Sequence, residues 1–160
     1  MPFDPDLAPA VTGGEDRPWR VRVPFGGREW DGAVLSVGNP HLIVRIEDDP
    51  RTFNLSSIGP PLESAECFPD RANVSLAHQT AESALVMQTY ERGTGVTLSC
   101  GSAACAAVVA FTDAELLPPN REIEVRTPGG RLGVRWSSSG ALWLSGPARE
   151  VFTGRAPLPG

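Results

Sequence analysis

Residues Cys100–Phe111 read C-G-S-A-A-C-A-A-V-V-A-F, twelve in a row without a charge. The run is apolar on nearly all sides, which is the pattern of a buried helix and not of an amphipathic surface one. It is also far short of the ~20 residues that a membrane span needs. A chain carrying such a helix must supply a wrapper for it. The rest of the sequence supplies short strands.

Trp19–Pro24 alternates polar and apolar residues and reads as a half-buried strand, followed by a turn in Phe25–Asp31 around Gly26-Gly27. Gly32–Val37 and Leu42–Ile46 are strand candidates separated by Gly38-Asn39-Pro40-His41. Asn54–Ser64 suggests a short helix capped by Asn54 or Ser56, with Pro60-Pro61 placed awkwardly inside it. Asn73–Gln79 and Leu85–Glu91 are further strands, and Arg92–Gly95 is a turn. Beyond the apolar helix, strands are expected at Glu122–Arg126, Leu132–Trp136, Leu142–Leu144 and Glu150–Phe152, with a hairpin turn at Thr127-Pro128-Gly129-Gly130. The expected fold is α+β, mostly antiparallel strands around one central helix. Residues 1–17 read as an extended lead-in and 18–160 as a single domain.

Composition narrows the function classes. Net charge is −5 and the arginines are scattered among acids, which argues against nucleic-acid partners. Met1–Ala10 has neither a basic n-region nor an apolar h-region, so a soluble cytoplasmic protein is the default. Cys67, Cys100 and Cys105 make no CxxC pair, which argues against a disulfide framework or a zinc site. All 14 basic residues are arginine. Without lysine the chain cannot form the Schiff base of a pyridoxal-phosphate enzyme, so carbanion chemistry here must proceed without that cofactor.

Cys100 precedes Gly101 and Ser102 at the start of the apolar helix. Free N–H groups at such an end attract anions, and the position lowers a thiol's pKa. A substrate carboxylate docked there would bring its α-carbon beside a base. The residues alone leave a second reading open, a small buried cysteine with Ser102 as cap. Glu91-Arg92 suits recognition of an ammonium and a carboxylate, or is an ordinary exposed pair. Asn39 and His41 either bind a polar ligand and tune a thiol, or shape a turn. Asn73 opens a strand. Cys105 and Cys67 read as structural, and His78 as exposed.

Taken together and in order, several segments resemble diaminopimelate epimerases. They are Val37-Gly38-Asn39-Pro40-His41, Phe68–Val74, Tyr90-Glu91-Arg92-Gly93-Thr94-Gly95 and Ser99–Ala107. Thr127–Gly130 and Leu144–Ala148 resemble the hairpin and closing strand that follow. The resemblance runs from about Val34 to Thr153, and Ala103 stands where the family usually has Gly. It implies a cofactor-independent isomerase of two similar halves, each wrapping a helix that presents one cysteine at its N-terminus. Cys100 would be the second of these cysteines. Gly101 and Ser102 would hold the α-carboxylate, while Asn39, Asn73, Glu91 and Arg92 hold other polar groups. His41 and Glu91 would modulate the thiols.

The resemblance further implies a small-molecule amino-acid substrate and a missing N-terminal half, or second chain, carrying the other cysteine. No metal is implied. The family often dimerises, though no residue here marks such an interface. A proline-racemase-like or phenazine-pathway-like isomerase, and a non-catalytic amino-acid-binding half, are the alternatives.

Overall fold

The computed structural model describes residues 20–157. The expected lead-in over 1–17, and Trp19 of the first strand, lie outside these residues. Three strands open the fold: β1 (Arg20–Phe25), β2 (Arg28–Ser36) and β3 (Pro40–Arg45). The β1–β2 hairpin turns on Gly26 and Gly27, both at positive φ, where a side chain is disfavoured. A 3-10 turn at Pro50–Thr52 leads into α1 (Leu55–Glu63). Then come β4 (Asn73–Ala81), β5 (Ala84–Glu91), the short β6 (Gly95–Thr97) and α2 (Gly101–Asp113). The chain finishes with β7 (Glu122–Thr127), β8 (Gly130–Trp136) and β9 (Leu142–Ser145).

The nine strands among the described residues form one sheet, in the order β1-β2-β3-β4-β5-β7-β8-β9, with β6 added alongside β5. Six pairings are antiparallel. The two parallel ones, β3–β4 and β5–β7, are those whose strands are joined through α1 and through β6 and α2. Parallel neighbours need such a crossover, whereas the antiparallel ones close with short turns.

Helix α2 is buried without a break from Ala103 to Phe111. It packs on β2, β3 and β4 and also on β8 and β9, which lie far apart in the strand order. The sheet therefore curls around it, as the evenly apolar sequence requires. Burying Val108, Val109 and Phe111 contributes about 1.5–3 kcal/mol each. The opposite face of β1–β5 carries a second core, where α1 packs through Leu55 and Leu62.

Three expectations need correction. Glu150–Phe152 is not a strand, and no described residue after Ser145 joins a ladder. Val151 and Phe152 are 81% and 79% exposed, so the segment has a strand's composition but pairs with neither edge of the sheet. Asn54 does occupy the N-cap of α1, yet its side chain makes no capping bond. His78 is half-buried, with Nδ1 3.2 Å from the Ile46 carbonyl, because β4 runs beside the end of β3. Pro60 and Pro61 do lie inside α1. The carbonyls they leave without a donor belong to the exposed Ser56 and Ser57.

Candidate active site

Side chains alternate across a strand, and that period sorts the polar residues of β3, β4 and β5. Ile43, Ala77, Leu85 and Met87 face α2. Leu42, Val44, Val74 and Leu76 face α1. Counting in twos places His41, Asn73, Ser75, Thr89 and Glu91 on the α2 side. His41 is paired with Asn73 in the ladder, and Val74 with Tyr90, so His41, Asn73 and Glu91 form one row across the end of three adjacent strands. The row beneath holds the buried pair Ser75 and Thr89, whose hydroxyls lie 3.0 Å apart.

His41 is fully buried, with Nε2 3.0 Å from Asn39 Oδ1. Facing that acceptor, Nε2 carries the proton, and the buried Nδ1 has no partner among the described residues. Burial, reinforced by the Arg92 charge, lowers the imidazole pKa to about 4. The ring is thus neutral at physiological pH.

Asn73 is engaged from both ends. Its Nδ2 donates to the Pro40 carbonyl at 3.0 Å, and its Oδ1 accepts the Arg92 main-chain N–H at 2.9 Å. It thereby ties the start of β3 to the end of β5. Glu91 Oε1 accepts from the Thr97 hydroxyl at 2.6 Å, and Arg92 Nη1 donates to the Asp70 carbonyl at 2.6 Å. Thr97 and β6 escaped the sequence reading because three residues are too few to show a period. The β-branched Val96 and Thr97 were the only signal.

Cys100 is the N-cap of α2, with extended backbone and no side-chain cap bond. Its Sγ lies 3.4 Å from Ser102 Oγ. Cys100, not Ser102, thus holds the capping position, and with no side-chain cap bond the first N–H groups of α2 remain available to an anion. Ala103 is fully buried in the core. A cleft of about 420 Å³ opens beside this end, lined by Ser36, Gly101, Ser102, Cys105, Trp136 and Leu144. The polar row on β3–β5 lies outside that cleft.

Cys105 sits one turn further in, and burial together with Cys100 raises its pKa. Burial raises that of Cys67 as well, on the α1 side of the sheet. Both fit structural roles. Among the described residues no three His, Cys, Asp or Glu side chains converge as a metal site. None of the described helices is long and apolar enough to cross a membrane.

Comparison with known proteins bears on this geometry. Residues 33–151 match the family model described as diaminopimelate epimerase. The chain belongs to the diaminopimelate epimerase family. A diaminopimelate epimerase from Chelativorans sp. is 44% identical over 123 residues, which cover 77% of this chain and 41% of that protein. One from Synechococcus sp. is 38% identical over 143 residues, covering 88% of this chain and 50% of its own length. The chain thus spans half or less of these relatives. A hydroxyproline epimerase from Agrobacterium vitis shares the fold, with a TM-score of 0.54 at 13% identity over 74% of this chain and 40% of that one. The epimerase family match covers Asn39, His41, Asn73, Glu91, Arg92 and the start of α2.

Proposed function

We propose that this chain supplies one half of a cofactor-independent amino-acid epimerase that interconverts LL- and meso-diaminopimelate, a step toward lysine and peptidoglycan. One observation carries the reading. An uncapped helix end bearing Cys100 shares a sheet face with the polar row His41, Asn73 and Glu91.

The chemistry follows from that placement. The substrate α-carboxylate accepts the N–H groups of Gly101 and Ser102, where the helix dipole favours negative charge. Cys100, as thiolate, takes the α-proton from one face. The electrons of the broken C–H bond pass to the α-carbon and into the carboxylate held at the helix end. A thiol from a second half, or second chain, delivers a proton to the opposite face. In the reverse direction the two sulfurs exchange roles. Glu91 and the neutral His41 modulate the thiol, and Arg92 with the asparagines receives the substrate's distal polar end.

The test is α-hydrogen exchange in heavy water. The full chain is combined with the remaining half of the Synechococcus relative, supplied as a separate chain. Deuterium should enter diaminopimelate with wild-type chain and not with Cys100→Ala. Exchange that survives Cys100→Ala overturns the role of this thiol. Calorimetric binding without exchange in any combination would identify an amino-acid-binding module instead.

A further inference from the structure

Glu63 is a carboxylate with no part in the chemistry above, yet its side chain is only 8% exposed. It ends α1, on the opposite side of the sheet from α2. Its Oε1 accepts the Gly93 main-chain N–H at 3.0 Å and lies 3.4 Å from Arg71 Nη1. Its own carbonyl accepts the Ala72 N–H at 3.1 Å.

Gly93 is the third residue of the turn Glu91-Arg92-Gly93-Thr94, which closes with a 3.0 Å bond from the Thr94 N–H to the Glu91 carbonyl. Its φ is +76°, as the third position of a type II turn demands. Types I and II differ chiefly by a flip of the central peptide plane, here the one joining Arg92 to Gly93. A buried carboxylate taking the Gly93 N–H selects one side of that flip. The N–H of Arg92 itself is taken by Asn73 Oδ1. The two amides that flank the Arg92 Cα are thus each held by a buried side chain, and the direction in which Arg92 leaves the turn is set by both.

We infer that Glu63 is a positioning residue for the substrate pocket. By holding the Arg92–Gly93 peptide plane it places the Arg92 guanidinium for the distal carboxylate of the substrate. The inference rests on the proposed role of Arg92. Its working element is the acceptor oxygen at that distance, not the negative charge. Glu63→Gln keeps the oxygen and drops the charge. Glu63→Asp keeps the charge and withdraws the oxygen by one methylene.

Two measurements on the full chain test this. Hydrogen exchange of the Gly93 amide, followed by NMR, should stay within about threefold of wild type in Glu63→Gln and accelerate at least about tenfold in Glu63→Asp. Epimerisation kinetics, with the second half supplied as above, should show KM raised about tenfold in Glu63→Asp with kcat within about threefold, and near-wild-type values in Glu63→Gln. Combining Glu63→Asp with Arg92→Ala should add nothing to the KM of Arg92→Ala alone. Equal behaviour of the Asp and Gln variants, or a kcat that falls in step with thermal stability, overturns the positioning role. If Arg92→Ala leaves KM unchanged, the reading of Arg92 has failed. The Gly93 exchange rates then still decide whether Glu63 holds the peptide plane.

Discussion

Asn39 Oδ1 stands 3.0 Å from Nε2 of His41, two residues further along the chain. The contact fixes the proton on Nε2 and leaves Nδ1 bare in a buried layer beside Asn73. An imidazole so placed has little room to become a cation.

Stability should therefore depend on pH through His41. Its folded pKa is about 4, lowered from 6.5 by burial and then by Arg92. The unfolded chain binds the proton more readily, so the contribution is fully present above pH 6.5 and is lost as pH falls toward 4. At 1.36 kcal/mol per pKa unit the loss approaches about 3 kcal/mol. Urea unfolding at intervals between pH 7.5 and 4 measures it, and His41→Gln should flatten the profile. Asp49, which Arg51 holds near 2, titrates below this window.

Gly101→Pro should separate folding from ligand capture. Proline suits the first position of a helix, and Cys100 already has the extended backbone (φ −132°, ψ 111°) of a residue that precedes proline. Leu144 Cδ2, 2.9 Å from the site of an added Cβ, belongs to a half-exposed side chain that can give way. Stability should change by less than about 1 kcal/mol. The substitution removes the Gly101 N–H, so KM in the two-half assay should rise about tenfold. An unchanged KM would show that the carboxylate docks elsewhere.

Asn73→Leu should destabilise the chain by about 2–3 kcal/mol, since it strips partners from the buried Pro40 carbonyl and from the Arg92 N–H. Asn73→Asp should cost a similar amount. It keeps the acceptor for Arg92 but sets an oxygen against the Pro40 carbonyl. Chemical denaturation of both variants checks the pair. A cost under about 0.5 kcal/mol would mean that Asn73 does not clamp the two strand ends.

Gly59→Ala reverses the usual helix rule. In an open helix the change stabilises by about 1 kcal/mol. Here an added Cβ would meet Tyr90 Cδ2 at 2.5 Å and Cβ at 2.8 Å, with α1 pressed on β5. A net loss of about 1–3 kcal/mol is expected, part of which Tyr90→Ala should recover in the double variant. Additive losses would show that the two residues do not press on each other.

The helix, most strands and the residues at α2's N-terminus were legible in the sequence because their signals are local. Twelve uncharged apolar residues need burial wherever they lie, and Thr127–Gly130 closes a hairpin from its own chemistry. Three kinds of information were not local. Whether Glu150–Phe152 becomes a strand depends on a sheet edge that no pattern within it reveals. The exposure of His78 depends on the neighbouring end of β3. The part played by Glu63 depends on a backbone amide 30 residues away.

By itself, then, the sequence determined a buried helix, an α+β class and a cysteine at a helix start. It also named Asn39, His41, Asn73, Glu91 and Arg92, without saying how they meet. Only the tertiary structure decided that the alternation of β3, β4 and β5 turns His41, Asn73 and Glu91 toward α2 in one row. It alone decided that Asn73 and Glu63 hold the amides around Arg92. The reason is physical. A residue's type and spacing fix its local conformation, but pairing register and crossovers join strands distant in sequence, and those joints decide which polar atoms share one face.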